Sequence, residues 1–223
     1  MHPLTYLHLQ MQLEGKALIG DGLKREAGVA PDGDLPLVLV ARLATGEVVV
    51  YYNESLLPDL QRKLAACVSE IQFPQVDALL HALNAKALTT KTEHLITYLF
   101  PADSTGGMDK DVIRCPRADP RLKALGMEGA AEHVFALERD GGLVSACASA
   151  RENEHCGEAR VFTLPEYRRH GLARKAVDAW ARSLEATQKI PLYSHEAGDV
   201  ACAALAQRLS LQPIFEEINI LPA

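Results

Sequence analysis

The segment from residue 158 to residue 187 constrains the fold more than any other part of the chain. Its apolar start predicts a strand over 158–164, and an amphipathic pattern predicts a helix over about 171–187. Trp180 falls on the apolar face of that helix, so we expect it in a core. A strand that runs through a tight loop into a long amphipathic helix requires a sheet on which the helix packs.

Periodicity predicts further elements on both sides of this segment. In the first half, an N-terminal helix that should stop at Gly20 precedes a hairpin, two helices and a strand at 94–100. The second half predicts strands at 112–115, 131–137 and 143–150, then a strand at 190–194, a helix at 199–209 with Asp199 as N-cap, and a strand at 213–220. We therefore expect an α/β (α+β) fold whose antiparallel sheet passes into βαβ units.

One short segment is the best candidate for a linker. Residues 101–107 are polar, and their second half is rich in glycine. We therefore predict an N-terminal α/β accessory domain over 1–106 and a second domain over 107–223. The sequence does not decide whether the first domain shapes a substrate pocket or a dimer interface.

Composition excludes several classes of protein. The 223 residues carry 23 Lys and Arg against 29 Asp and Glu, a net charge of -6, which argues against a general nucleic-acid binder. The five cysteines are scattered without a CxxC pair, as is typical of reduced thiols. No stretch approaches the ~20 apolar residues of a membrane span, and the start lacks a signal-peptide pattern. We expect a cytoplasmic protein without nucleic-acid or membrane partners.

The loop before the long helix predicts an anion site. The first amides of a helix lack partners within the helix, and the macrodipole is positive there. Gly171 lets the backbone come close to a phosphate, while Arg168, Arg169 and His170 add side-chain donors. A guanidinium suits a pyrophosphate better than a point charge does. The alternative is a solvated helix start.

The run Arg168-x-x-Gly171-x-Ala173 resembles the acyl-CoA pyrophosphate loop, [Gln/Arg]-x-x-Gly-x-[Gly/Ala], of the GNAT superfamily of N-acetyltransferases. The segment 137–220 is also similar to the bacterial FR47-like branch. That likeness rests on Asp140-Gly141-Gly142-Leu143, Leu164-Pro165-Glu166-Tyr167-Arg168, Pro191-Leu192-Tyr193-Ser194 and Ala204-Leu205-Ala206-Gln207-Arg208-Leu209. The resemblance implies a GNAT fold, a mixed and mostly antiparallel sheet with helices on both faces, after a smaller α/β N-terminal region.

The resemblance also implies how the cofactor binds. Acetyl-CoA, or another acyl-CoA, would lie in a V-shaped opening between the strands that end at Leu164 and Ser194. The backbone of Phe162, Thr163 and Leu164 would pair with pantetheine, and no metal is implied. The pyrophosphate would be held by the loop residues Arg168, Arg169, His170, Gly171, Leu172 and Ala173.

An amine acceptor must lose a proton before or during attack on the thioester. Glu158 lies close to the position of the glutamate base in several GNAT enzymes, about one residue nearer to the loop, so we predict that it acts as the base through water. The alternative is a solvated carboxylate at the strand start. Second choices are Glu152, Glu154 and His155 in the preceding turn.

Three departures from the family pattern leave the activity open. Ala206 stands where many members carry a tyrosine that protonates the thiolate, Phe162 stands where the branch commonly has glutamate, and residues 195–202 differ from the branch. We predict an N-acyltransferase that moves an acetyl or short acyl group to a small-molecule or peptide primary amine. The sequence is also compatible with a homodimer. The alternatives are a degenerate module that binds acyl-CoA without turnover and a structural relic.

Two other chemistries receive less support. His195-Glu196-x-x-Asp199 resembles half of a His-Glu-x-x-His zinc motif, but the second histidine is absent. Cys147, Cys156 and Cys202 are possible nucleophiles, yet buried thiols are commoner.

Overall fold

The computed structural model describes residues 1–20, 22–25, 34–68, 73, 76–84, 89–101, 109–128 and 134–223. Its elements are α1 (Pro3–Leu13), β1 (Lys16–Ile19), β2 (Gly22–Arg25), β3 (Val38–Leu43), β4 (Val48–Asn53), α2 (Pro58–Val68), α3 (Asp77–Asn84), β5 (Thr90–Leu99), β6 (Val112–Cys115), β7 (Val134–Arg139), β8 (Gly142–Glu152), β9 (Cys156–Thr163), α4 (Leu172–Glu185), β10 (Ile190–Glu196), α5 (Val200–Arg208) and β11 (Gln212–Pro222). Short 3₁₀ helices occur at Pro120–Leu125 and Pro165–Tyr167. No helix among these residues is long and apolar enough to cross a membrane.

The chain divides into two compact units, one of residues 1–96 and 213–223 and the other of residues 97–212. This division differs from the predicted cut between residues 106 and 107. The C-terminal strand β11 belongs to the first unit because it pairs with β3 from Phe215↔Leu43 to Ile220↔Val38. Such long-range pairing leaves no local signal in the sequence. Most of the predicted linker, from residue 102 on, lies outside the described residues.

In the first unit, strands in the order β1-β2-β4-β3-β11 carry one core against α2 and α3. The predicted hairpin is confirmed as β3 and β4, which pair antiparallel. The N-terminal helix ends at Leu13 and not near Gly20, because Gly15 takes a left-handed φ of 69° and turns the chain into β1. Leu18, predicted on the helix, therefore lies in a strand.

In the second unit, the strands follow the order β10-β9-β8-β7-β6. The pairs from β6 to β9 are antiparallel, and β9 pairs with β10 in parallel. Helices α4 and α5 pack on one face of this sheet, and the 3₁₀ helix Pro120–Leu125 packs on the other. The predicted mixed α+β fold, mostly antiparallel, is thus confirmed, although residues 131–133 of one predicted strand lie outside the described residues.

Two local predictions in this unit are also confirmed. Trp180 is fully buried in the core under α4, where its Nε1 donates to Ser149 Oγ at 2.9 Å. Asp199 caps α5, since its Oδ1 accepts a hydrogen bond from the Cys202 amide at 2.9 Å. This bond to the backbone is the main reason that the pKa of Asp199 is lowered.

Candidate functional site

Strands β9 and β10 separate after a short stretch of pairing. Their register joins Ile190 to Cys156, Pro191 to Gly157 and Leu192 to Glu158, and within these fully described strands the pairing stops there. Strand β9 continues to Thr163 along β8, while β10 continues to Glu196. Beyond Glu158 and Leu192 the two strands are thus not paired with each other, and it is in this opening that the resemblance implies the cofactor.

The ladder between β8 and β9 determines which backbone groups of β9 face this opening. The Leu164 amide donates to Val144 O at 2.9 Å, so Leu164 is bonded to the β8 side. In an antiparallel ladder, bonded and non-bonded pairs alternate, so Phe162 also bonds toward β8, whereas Val161 and Thr163 present their backbone to the opening. This register corrects the prediction that Phe162, Thr163 and Leu164 all offer their backbone to pantetheine. Of those three, Thr163 is the residue whose backbone the register directs away from β8.

The loop after β9 has the geometry of an anion site. Arg169 and Gly171 both take left-handed φ values, 66° and 76°, and α4 begins at Leu172 without a side-chain cap. Left-handed residues of this kind turn successive amides into one concavity, and the first amides of the helix add to it. A Cβ placed on Gly171 would meet no atom within 4 Å, so the space in front of the loop is open. Arg168, Arg169, His170 and Gly171 are all exposed.

Arg168 lies across the end of β9. Its Nε donates to Thr163 O at 3.1 Å, and its guanidinium carbon lies 5.9 Å from the centre of the Phe162 ring. Arg168 therefore takes the Thr163 carbonyl and leaves the Thr163 amide as the group directed to the opening. The guanidinium is thereby held between the opening and the loop.

Ion pairs reduce the positive charge beyond the loop. Lys175 contacts Asp109 at 3.0 Å and Asp111 at 3.3 Å, and the hydrogen bond to Asp109 is the main reason that the pKa of Lys175 is raised. Arg174 lies 3.6 Å from Asp178. Among the described residues, the cationic side chains of the loop itself are thus Arg168 and Arg169.

Glu158 lies where β9 and β10 begin to separate, and it is not solvated. It is only 6% exposed, so the expectation of a solvated carboxylate is wrong. Ser194 Oγ donates to Glu158 Oε1, and Arg151 Nη1 donates to Oε2 at 2.5 Å. Neighbouring Ala159 and Tyr193 pack against the core under α4, so alternation along the strands puts Glu158 and Ser194 on the opposite face of the sheet.

The second-choice bases are placed less well. Glu152 is bound by Ser149 at 2.6 Å and by Lys189 at 2.7 Å. A Cβ on Gly157 would lie 2.8 Å from Leu184 of α4 and 3.3 Å from Ser149 Oγ, which puts this group on the face under α4. Glu154 and His155 are exposed in the turn at the other end of β9 from the opening.

Position 206, where many family members carry a tyrosine, holds an alanine that cannot donate a proton. Ala206 lies on α5 and is buried in the core against the sheet, so its side chain does not reach the opening. The hydroxyl of nearby Tyr193 donates to Cys202 O at 3.4 Å, and burial raises the pKa of Tyr193.

The competing chemistries receive no support. Burial raises the pKa of Cys147, and it raises that of Cys156 to about 12, which disfavours either thiolate as a nucleophile. His195 is buried, with Nδ1 2.7 Å from Glu196 O and Nε2 3.2 Å from the Tyr98 hydroxyl. Among the described residues, no group of three or more His, Cys, Asp or Glu could hold a metal ion.

Sequence reasoning did not assign a role to Ser194 or Arg151. Ser194 was noted as the end of a strand and as part of a family motif, and Arg151 was not singled out. The signal is faint: Arg151 and Glu158 face each other only because of a β-bulge at Ala150, and Ser194 reaches Glu158 only in the parallel register of β9 and β10.

Comparison with known proteins finds one family model and several structures of similar fold. Residues 130–209 match the family model described as an acetyltransferase (GNAT) domain. The structure of a GCN5-related N-acetyltransferase from Kribbella flavida aligns over 100% of this chain and 95% of its own, with a TM-score of 0.53 at 15% identity. A GNAT-family acetyltransferase from Colwellia psychrerythraea aligns over 99% and 96%, with a TM-score of 0.51 at 11% identity.

A third structure covers less of the chain. A GNAT-family putative acetyltransferase from Novosphingobium aromaticivorans aligns over 60% of this chain and 67% of its own, with a TM-score of 0.51 at 17% identity. At these identities the structures establish the fold alone. Comparison with curated proteins gives no match. Placement in the FR47-like branch stays a prediction.

Proposed function

We propose that this protein is an N-acyltransferase, on the premise that residues 130–209 match the family model of an acetyltransferase (GNAT) domain. It moves an acetyl or short acyl group from acyl-CoA to a primary amine by direct attack within a ternary complex. The observation that carries the proposal is the divergence of β9 from β10 next to the open, left-handed loop at the start of α4.

The opening suits an extended thioester. Pyrophosphate oxygens would accept hydrogen bonds from the loop amides and from Arg168 and Arg169, and the pantetheine arm would run along the free edge of β9. There the amides of Val161 and Thr163 offer donors to the pantetheine or to the thioester oxygen. A preorganised donor of this kind lowers an acyl-transfer barrier by about 3 kcal/mol. Holding the amine and the thioester together in the right orientation lowers the barrier by up to about 7–11 kcal/mol.

Glu158 supplies the base. It lies where the pairing of β9 with β10 ends, on the face of the sheet opposite α4. Arg151 Nη1 donates to Glu158 Oε2 at 2.5 Å and so fixes the orientation of the carboxylate.

The experiment that tests this function follows free thiol. Wild-type protein is incubated with acetyl-CoA and a panel of primary amines, and reactions without amine correct for the partly exposed thiols of Cys67 and Cys202. We expect amine-dependent release of CoA, and we expect Glu158→Gln to lose it. Turnover that survives Glu158→Gln unchanged would remove Glu158 from its role.

The buried position of Ala206 favours a second candidate, a module that binds acyl-CoA without turnover. Calorimetry distinguishes the two candidates: this module would bind acetyl-CoA and release no thiol with any amine. Binding that is absent, or indifferent to Arg168→Ala and Gly171→Asp, would indicate a structural relic. Because a CoA thiol is acidic enough to leave as the thiolate, the absence of a tyrosine at 206 does not by itself prevent turnover.

The same reasoning extends to the setting of the reaction. We propose that the protein acts in the cytoplasm, which fits its five free cysteines. The acceptor is a small-molecule or peptide amine.

A further inference from the structure

The two oxygens of the Glu158 carboxylate are both engaged within the protein. Oε1 accepts from Ser194 Oγ, and Oε2 accepts from Arg151 Nη1 at 2.5 Å. With only 6% of Glu158 exposed, a base in this state has no open face toward a bound amine. Proton transfer to it therefore needs a carrier that already touches the carboxylate.

Ser194 is placed to be that carrier. It lies beyond Leu192, the last residue of β10 that pairs with β9, and so belongs to the wall of the opening. Its side chain is on the same face as Glu158 and is only half-buried. A hydroxyl can donate one hydrogen bond while its lone pairs accept another. Ser194 Oγ can therefore donate to Glu158 Oε1 and accept a proton from a bound amine at the same time.

We propose that Ser194 relays the acceptor's proton to Glu158, and this inference rests on the proposed function. As the amine nitrogen forms its bond to the thioester carbon, the nitrogen gives a proton to Ser194 Oγ. Ser194 gives its own hydroxyl proton to Glu158 Oε1. The C–S bond then breaks, the electron pair leaves with sulfur as CoA thiolate, and Glu158 returns its proton through Ser194 to the thiolate or to solvent.

Arg151 is a positioning residue in this step. It holds Oε2 and so turns Oε1 toward Ser194.

The chain contains a matched control for this arrangement. Ser149 Oγ donates to Glu152 Oε2 at 2.6 Å, and Lys189 Nζ lies 2.7 Å from Glu152 Oε1. This serine, carboxylate and cation repeat the chemistry of the Ser194 group, but they lie under α4, where Ser149 also accepts from Trp180. Ser149→Ala thus removes a hydroxyl from a glutamate without touching the opening.

The test compares steady-state kinetics of Ser194→Ala, Ser194→Thr and Ser149→Ala with wild type. We expect Ser194→Ala to lower kcat about 100-fold, in the range of general acid–base effects, with KM for acetyl-CoA within about twofold. Ser194→Thr keeps the hydroxyl on a strand-compatible side chain and should retain most of kcat. Ser149→Ala should keep kcat. Circular dichroism of each variant checks that the variant is folded.

A proton inventory gives a readout that a structural role would not change. In mixtures of H₂O and D₂O, wild-type kcat should depend on deuterium fraction with the curvature of two moving protons, whereas Ser194→Ala should give a straight line. A folded Ser194→Ala variant with wild-type kcat, or with unchanged curvature, would overturn the relay. Loss of turnover in Glu158→Gln but not in Ser194→Ala overturns the relay alone, whereas wild-type protein without turnover overturns the proposed function along with it.

Discussion

Two groups of serine, glutamate and cation lie on opposite faces of the same sheet. We call Ser194, Glu158 and Arg151 the opening triad, and Ser149, Glu152 and Lys189 the core triad. The side chains of the two glutamates are about equally buried, 8% and 10% exposed. What differs is the strand edge beside them: the opening triad lies where β9 leaves β10, and the core triad is covered by α4 and bonded to Trp180.

This difference shows that the residue types in a cluster do not define a site. In the core triad, the hydroxyl satisfies a buried indole N–H, so its removal costs stability. In the opening triad, the hydroxyl lies just beyond the point where β9 and β10 stop pairing. Its removal should therefore lower the rate of turnover. The predictions below separate these two kinds of cost.

The largest expected effect comes from changing each glutamate in turn. Glu158→Gln keeps the size of the side chain but removes the base, so we expect kcat/KM for the amine to fall about 10³-fold. Glu152→Gln, its counterpart in the core triad, should keep kcat/KM within about threefold. Measurement of thiol release at several amine concentrations checks both. Equal losses in the two variants would abolish the distinction between the triads.

A smaller effect is expected on binding at the loop. Gly171→Asp puts a carboxylate where the pyrophosphate binds and forces a side chain onto a φ of 76°, so we expect the Kd for CoA to rise by about 10- to 100-fold. Gly141→Asp imposes the same strain at a φ of 80° in the β7–β8 turn, also with no atom within 4 Å of the added Cβ. Calorimetry should show wild-type affinity for this control. A comparable loss in the control would attribute the effect to strain.

The core triad should respond in stability. Ser149→Ala leaves Trp180 Nε1 without its acceptor in a buried position, which should lower the free energy of unfolding by about 1–3 kcal/mol. Denaturant titration measures this loss. Ser194→Ala, at the half-buried wall of the opening, should lose less. The reverse order would mean that the opening triad serves structure.

The smallest effect concerns the cap that follows β10. Asp199→Ala removes the acceptor of the Cys202 amide and should cost about 1 kcal/mol at pH 7. The pKa of Asp199 is lowered in the folded state, mainly by that bond, so this stability is present above the unfolded value of ~3.9 and is lost as pH falls below it. The free energies of unfolding of wild type and variant should therefore converge as pH falls through the lowered pKa of Asp199. If wild type stayed more stable than the variant at low pH, the stability of the cap would not come from the ionised carboxylate of Asp199.

Much of the fold could be predicted from the sequence because its signals are local. The β9–loop–α4 segment, the β3–β4 hairpin and the Asp199 cap follow from periodicity and turn residues. The position of β11 could not be predicted, because its partner β3 lies more than 150 residues earlier in the chain. The end of α1 was missed because Gly15 turns a helical pattern into a strand.

The site was predicted in outline and not in detail for the same reason. The loop and the candidate base could be recognised because each follows from a short motif. The burial of Glu158 depends on Ser194 and on Arg151 beyond a bulge, and the direction of the Leu164 amide depends on pairing with Val144. Register between strands is a tertiary property that a single sequence does not reveal.

The most direct test of the account is a map of backbone amide NMR shifts during titration with CoA. The account predicts that the largest shifts fall on Val161, Thr163 and residues 169–173, and that Ser149 and Glu152 stay near their free positions. Absence of shifts at saturating CoA, or shifts confined to residues outside the opening and the loop, would contradict it.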